Sequence, residues 1–427
     1  MARDLPERIA VLGAGPVGLE AALYGRYLGY AVDVYERGRV AENVLRWGHV
    51  RMFSPFGLNR STLALAALGA QDPAWHPPAD DAILTGRELA QRYLVPLAQS
   101  DLLADGLHER TEVLAVSRDG PLKGDRVGGD HRREEPFRLL LRKRARDGFP
   151  DTERIATADV VIDTTGTYGN HNWLGRGGIP ALGERAEAGR IDYDPPDIAG
   201  QQRERFAGRH VLVVGAGYSA ATSVAALAQL AGDHPGTRVT WITRDEREPP
   251  VRLIPEDRLP QRDRLAREAN HLAADTGVPV THGAGTTVDA VAWHDEPGRF
   301  EVRTLGRHEE TIEVDRVIAN VGYRPDLDLA RELQMHWCYA SEGPMKLAAA
   351  LLGTGAGDCL DQRSHGPRTL ANPEPDFYVL GAKSYGRNSN FLISIGLEQV
   401  RDAYSLIAGR ADLDLYSTVS IQGAPGT

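Results

Sequence analysis

The sequence predicts the α/β class, organised around two copies of one strand–turn–helix–strand unit. Three observations carry this. Arg8 to Leu12 is an apolar run of strand length that closes in Gly13-Ala14-Gly15-Pro16-Val17-Gly18. His210 to Val214 runs the same way into Gly215-Ala216-Gly217-Tyr218-Ser219-Ala220. Behind each turn apolar residues recur at helical spacing: Val17, Ala21, Tyr24 and Leu28 in the first copy, Ala220, Val224, Leu227 and Ala231 in the second.

The first helix is expected to stop at Gly29, with a strand over Ala31 to Tyr35 that ends at Glu36. Leu107 to Val116 and Phe137 to Arg142 read as strands around a polar stretch, Asp119 to Glu135, expected as a loop or hairpin tip. The basic run Arg142 to Arg146 is flanked by acids and reads as a solvated strand end. Val160 to Asp163 is a further strand entering Thr164-Thr165-Gly166, and the Gly/Pro-rich passage from Gly175 to Gly200 reads as a crossing between domains. In the second copy Arg238 to Thr243 forms the next strand, ending at Arg244. Beyond it, Gln261 to Thr276 reads as helix, and Val288 to Phe300 and Arg316 to Asn320 read as strands. Phe377 to Leu380 is a short strand, and Ile393, Leu397, Val400, Tyr404 and Ile407 mark a closing helix. The stretch His336 to Leu360, with Cys338 and Cys359, fits no motif.

At 427 residues the chain exceeds one hydrophobic core. Its 46 glycines exceed the usual share of about 7%; they gather in short loops, where backbone turns tightly or approaches a ligand. A net charge of −10 argues against nucleic-acid and anionic-membrane partners. Two cysteines without a CxxC exclude a disulfide scaffold and a redox dithiol, and fit a reducing compartment. No apolar run approaches the roughly 20 residues of a membrane span, and no signal-peptide pattern opens the sequence. A cytoplasmic protein with a small-molecule substrate is expected; a homodimer is compatible with this composition. No metal-ligand spacing is present.

A dinucleotide's pyrophosphate is held by N–H groups at a helix N-terminus, with glycines permitting the turn, the approach and the packing of helix on strand. Gly13, Gly15 and Gly18 fill those places, and Glu36, with Arg37 beside it, stands where a carboxylate accepts the adenosine ribose hydroxyls. In the second copy the glycine positions are Gly215, Gly217 and Ala220, with Ser219 in the first helical turn. Its second strand ends without a carboxylate, in Thr243-Arg244, with Arg247 close behind. Arginine there pairs with the 2′-phosphate of NADP, so NADPH is favoured over NADH.

These features resemble the two-dinucleotide-binding-domain flavoproteins, which include thioredoxin reductases, flavin-containing monooxygenases, Baeyer–Villiger monooxygenases and amine N-hydroxylases. The matching residues are Gly13 to Gly18 with Glu36, Thr164-Thr165-Gly166, Phe206-Ala207-Gly208-Arg209-His210 leading into Gly215 to Ala220, and Gly322-Tyr323-Arg324-Pro325-Asp326. The segment holding Phe206 and Gly208 is most similar to the monooxygenase branch. The resemblance implies two Rossmann-like dinucleotide-binding domains, one for FAD and one for NAD(P)H, the second inserted into the first. The expected division is 1–200 and 327–427 for FAD, and 201–326 for NAD(P)H.

It further implies cofactor contacts at Thr165, Gly166 and Gly381. A Gly-Asp pair that contacts the flavin ribityl chain in the family is replaced by Gly381-Ala382-Lys383; Lys383 either pairs with the FAD phosphates or points to solvent. The double glycine of flavin monooxygenases after Glu36 is missing. The flavin-proximal surface is expected from His49 to Thr62, the turn at Gly166 and the loop Lys383 to Ser394. Asn59 is the best-matched position for an asparagine bonded to the flavin. His49 and Arg51 alternate along an apparent strand and either face the isoalloxazine or are a packed histidine and a surface arginine. Tyr385, Arg387, Asn388 and Asn390 form a polar cluster before the closing helix, whose N-terminus is expected at the flavin's pyrimidine edge. Turn chemistry also accounts for the Gly and Asn there.

The leading function is an NADPH-dependent flavin monooxygenase, forming a flavin hydroperoxide that oxygenates a soft nucleophile or a ketone. A reductase passing electrons to a quinone, a metal or a redox partner is the second reading. A non-catalytic dinucleotide-binding sensor is the third.

Overall fold

The structure, a computed structural model, describes residues 8–145, 150–275, 279–353 and 358–418. Ten elements position the sites. In chain order the first half supplies β1 (Arg8–Leu12), α1 (Pro16–Tyr27), β2 (Ala31–Tyr35) and β3 (Val160–Asp163). The middle supplies β4 (His210–Val214), α2 (Tyr218–Asp233), β5 (Arg238–Ile242) and β6 (Arg316–Ala319). Near the end come β7 (Phe377–Val379) and α3 (Ile393–Ile407). The chain divides into two compact units. Unit 1 takes the chain up to Gly48, Ser54–Tyr168 and Arg324 onward; unit 2 takes His49–Phe53 and Gly169–Tyr323.

In unit 1 five parallel strands lie in the order β7, β3, β1, β2 and Leu107–His108. Parallel strands covered on both faces read as unbroken apolar runs, and Ile9, Val11 and Leu12 are fully buried in β1. β1 aligns Ile9 with Val32 on one side and with Val160 on the other. α1 packs on α3: Tyr24 stacks on Tyr404 at 5.1 Å, and the Tyr404 hydroxyl donates to the Ala21 carbonyl at 2.7 Å. A three-stranded antiparallel sheet (Thr111–Arg118, Phe137–Lys143, Thr152–Ala158) contributes Phe137, Leu139 and Leu141 to the core.

In unit 2 the parallel order is Val280–Gly283, β5, β4, β6. α2 covers this sheet beside the helix Pro260–Ala274, around a fully buried Trp241. An antiparallel sheet of Thr286–His294, Arg299–Gly306 and Thr311–Val314 builds the second core, around Phe300 and Val302.

Several expectations are corrected. After the short excursion His49–Phe53, the long run of unit 2 begins at Gly169, ahead of the expected 201. Residues 175–200 are part of unit 2, because Gly175, Leu182 and Asp192 make parallel bridges to Val288, Ala290 and Ile318. The later crossing, Tyr323/Arg324, lies three residues before the expected 326/327. The run Leu107 to Val116 is broken by Arg110, which has a positive φ of 56°, so its two parts join different sheets. His49 and Arg51 are on no strand: residues 49–53 are turn, bend and irregular chain with one bridging residue at Arg51. The stretch 336–360 contains a helix, Met345–Gly353. Arg146 and Thr276 lie outside the described residues. Among the described residues no helix is long and apolar enough to cross a membrane, and no cluster of His, Cys, Asp and Glu has the makings of a metal site.

Candidate functional site

Unit 1 brings most of the first set of predicted residues to the carboxyl ends of its parallel strands, where open α/β sheets bind ligands. Gly13 leaves β1 and its N–H donates to the Tyr35 carbonyl at 2.8 Å. α1 then starts with Gly15 at its N-cap and Pro16 in its first turn, and no side chain caps it. Close packing makes Gly18 obligatory: a methyl group there would stand 2.0 Å from the Gly13 carbonyl oxygen and 2.6 Å from Thr164 Oγ1. At Gly15, by contrast, nothing lies within 4 Å of such a group. The turn is therefore tight on its sheet side and open at the helix N-terminus, the shape that admits a phosphate against free N–H groups.

Glu36 is 9% exposed and closes the same crevice. Its two oxygens accept from the N–H groups of Ala14 (2.9 Å) and Gly38 (2.8 Å), leaving a further lone pair on each for ribose hydroxyls. Burial pushes its carboxyl above the usual range, against those two bonds. Arg37 is exposed and donates to the Tyr168 carbonyl at 3.3 Å, beside the Gly166 turn. Gly381 sits 3.4 Å, measured from an added Cβ, from Val17 in the first turn of α1. Gly13, Gly18 and Thr165 thus pack together at the carboxyl end of β1, with Glu36 bonded to Ala14, Arg37 to Tyr168, and Gly381 against Val17.

Lys383 is corrected. It is 1% exposed and does not point to solvent. Its ammonium lies 2.6 Å from Asp163 Oδ2 and donates to Thr165 Oγ1 at 3.1 Å. Asn59 bonds within its own loop. It is 3% exposed, and its amide donates to Ser54 O, Ser54 Oγ and Pro55 O at 2.8 to 3.2 Å. It therefore holds the shape of its own loop. His49 and Arg51 group with unit 2. The polar cluster before α3 is largely structural. Arg387 forms a two-pronged pair with Glu342 at 2.8 and 2.9 Å, Asn388 Oδ1 accepts from the Asn390 N–H, and Tyr385 packs edge-on against Phe391. α3 nonetheless has Leu392 at its N-cap and no side-chain cap.

Unit 2 repeats the cradle. Gly215 has φ of +133°, and a side chain there would meet the Asn320 carbonyl oxygen at 2.2 Å. Gly217, the N-cap of α2, is open and uncapped; Ser219 is exposed in the first turn, and Ala220 is fully buried. Behind the turn, Ser223 Oγ donates to Asn320 Oδ1 at 2.8 Å and Trp241 Nε1 to the Gly215 carbonyl at 2.7 Å. At the end of β5, Thr243 is buried and its hydroxyl lies 3.1 Å from His282 Nε2. Burial holds the His282 imidazole below its usual range. Arg244 is exposed with no acidic partner among the described residues, whereas Arg247 is 3.7 Å from Asp245, whose Oδ1 also accepts the Arg247 N–H. Of the two arginines, Arg244 is the available one. Asp163, Asn320, Ser223 and His282 escaped the sequence reading. The signal for Asp163 was a charge closing an otherwise apolar strand.

A family model described as pyridine nucleotide-disulphide oxidoreductase matches residues 140–341 of the 427. No curated protein matches the sequence. Among solved structures, a bacillithiol disulfide reductase from Bacillus cereus is 19% identical, covering 95% of this chain and 99% of its own, with a TM-score of 0.65. A cadaverine monooxygenase of the desferrioxamine pathway from Erwinia amylovora, solved with FAD bound, is 15% identical, covering 100% and 99%, with a TM-score of 0.63. This chain has the fold of the two-dinucleotide-binding-domain flavoproteins. A flavin monooxygenase from Stenotrophomonas maltophilia, 20% identical with 95% and 99% covered and a TM-score of 0.55, shares the same flavoprotein fold. Reductases and monooxygenases stand side by side among these neighbours, so the fold alone does not choose between them.

Proposed function

We propose that this chain is an FAD-dependent, NADPH-using oxidoreductase, and within that class a monooxygenase acting on a small soft nucleophile (nitrogen, sulfur or similar) or a ketone. The observation that carries the reading is the pair of uncapped glycine turns, one answered by Glu36 and the other by Arg244 in place of a carboxylate. Bound FAD supplies two-electron redox chemistry and, once reduced, reactivity toward oxygen. The chain's residues bind and orient. The first turn of α1 offers N–H groups and a positive dipole end to the pyrophosphate, and Glu36 accepts from the ribose. α2 does the same in unit 2, where Arg244 pairs with the 2′-phosphate.

Disulfide reduction is the weaker alternative. The chain has two cysteines, both free thiols, and Cys338 is buried at 5% exposure. A reductase passing electrons to a quinone, metal or redox partner without oxygen insertion is the second reading, favoured by the commitment of Asn59 to its own loop. The charge and cysteine content favour a cytoplasmic setting and a small-molecule substrate.

Arg244→Ala is expected to raise KM for NADPH about tenfold or more and to leave NADH nearly untouched. Arg247→Ala, whose charge already faces Asp245, should stay within about twofold for both. Initial rates with each nucleotide check this; equal losses with NADPH and NADH would sink the assignment of Arg244. The class is tested by measuring hydrogen peroxide released per NADPH consumed in air, over a panel of amines, thioethers and ketones. A substrate that replaces peroxide with an oxygenated product supports the monooxygenase. Full peroxide release with every candidate, beside rapid reduction of quinones, supports the reductase.

A further inference from the structure

We propose that Lys383 is a positioning residue for the flavin cofactor, acting through a buried ion pair with Asp163 that holds the turn against which the Gly13–Gly18 cradle is packed. This rests on the FAD reading above.

Two strand ends meet at this pair. Asp163 is the last residue of β3, and Lys383 lies in the turn Gly381–Tyr385 that follows β7. The strands are neighbours, and the Leu380 N–H donates to the Asp163 carbonyl at 2.9 Å. Lys383 Nζ stands 2.6 Å from Asp163 Oδ2, with the side chains 1% and 0% exposed. Asp163 Oδ1 accepts from the Thr165 N–H at 3.0 Å and from the Thr165 hydroxyl at 2.7 Å. Nζ also donates to that hydroxyl's oxygen. Carboxylate, ammonium, hydroxyl and backbone N–H therefore form one closed set with a single arrangement.

Burying both charges is expensive, and a well-packed apolar pair would serve the fold as well or better. What apolar side chains would not supply is direction: the pair fixes where Thr165 and hence Thr164 stand. Thr164 is the wall of the cradle. Its N–H donates to the Leu12 carbonyl at 2.9 Å and its hydroxyl to the same carbonyl at 2.8 Å. Its carbonyl lies 3.0 Å, and its Oγ1 2.6 Å, from where side chains on Gly13 and Gly18 would be. With so little clearance, a shift of the Thr164 turn is a shift of the glycine turn. On the other side the Lys383 turn is locked to α3: the Gly381 N–H donates to Gln399 Oε1 at 2.8 Å, and Gln399 Nε2 to Ser384 Oγ at 2.9 Å. Lys383 thus joins the turn beside α3 to the turn beside α1.

The test uses the full-length chain, stripped of flavin and titrated with FAD by fluorescence quenching. The variants are Asp163→Asn with Lys383→Met together, which leaves no buried charge alone, and Thr165→Val, which keeps shape but removes the bridging hydroxyl. Melting temperature without flavin and circular dichroism of bound flavin in the visible region are read alongside. The double variant is expected to melt near the wild type, to raise the FAD Kd about tenfold or more, and to change the visible dichroism. Thr165→Val should raise Kd about threefold or more at unchanged melting temperature. Both variants holding FAD within about twofold, with unaltered dichroism, would overturn the proposal even if they melt earlier, since the pair would then serve the fold alone. A wild-type chain that binds no FAD overturns the FAD reading itself and this proposal with it. Both variants unaffected beside a wild type that binds overturn only this one.

Discussion

Replacing Glu374 by alanine is expected to lower the stability of unit 1 by about 3–5 kcal/mol, because two buried arginines lose their shared counter-charge. Glu374 is fully buried. Its Oε1 accepts from Arg118 Nε at 2.8 Å, its Oε2 from Arg132 Nε at 3.0 Å and from the Gln334 N–H at 2.9 Å. Arg118 also lies 3.6 Å over the ring of Phe137. Arg132, itself 0% exposed, reaches back to the carbonyls of Leu122 and Asp125, each at 3.0 Å. The polar stretch 119–135 is therefore a loop, as its composition predicts, but one fastened from inside. Burial alone would raise the Glu374 carboxyl; the bonds from Arg132, Gln334 and Arg118 outweigh it and hold the group below its usual range. Its contribution is accordingly complete above the unfolded carboxyl pKa and is lost as pH falls through the lower folded value. Urea denaturation at neutral pH measures the effect, with hydrogen exchange over 119–135 locating it. An alanine variant with an unchanged midpoint would refute the account.

The second large effect runs the opposite way with pH. Glu20 lies in α1 at 1% exposure, accepting from Ser61 Oγ at 2.8 Å with the Tyr416 hydroxyl beside it. Burial raises its carboxyl from 4.5 to about 7, a rise that the bonds from Ser61 and Tyr416 only partly offset. Between those values the folded chain keeps a proton that the unfolded chain has released, so stability drains away as pH rises from 4.5 through 7. The loss is roughly 3 kcal/mol when complete. Glu20→Gln has no proton to lose. It should match the wild type near pH 4.5 and be more stable by most of that amount at pH 8. Urea midpoints of the two proteins across this range decide it; a difference that does not change with pH would show that Glu20 ionises freely in the fold.

What the sequence disclosed follows the range of the interactions involved. The glycine turns were legible because their requirements are local: positive φ at Gly215, and contact of helix on strand at Gly18, are written within six residues. Glu36 was legible by its fixed offset from such a turn. Lys383 was not, because its partner Asp163 is 220 positions away and no periodicity announces an ion pair. Asn59 looked like a ligand-facing amide, and its use within residues 54–59 appears only once the loop closes on itself. The early unit boundary has the same cause: a Gly/Pro-rich passage reads as a linker, while three single bridges to distant strands fold it into unit 2.

The order of segments in unit 1 has a consequence for synthesis on the ribosome. β3 pairs with β7, and Asp163 faces Val379, so the first sheet stays incomplete until residues after 379 have emerged. At about 5–20 residues per second that wait is on the order of tens of seconds. The run Gly169–Tyr323 is contiguous and emerges during the wait. The nascent chain therefore finishes its middle before its beginning, and the apolar edge of β3 is the surface a chaperone would shield in the interval.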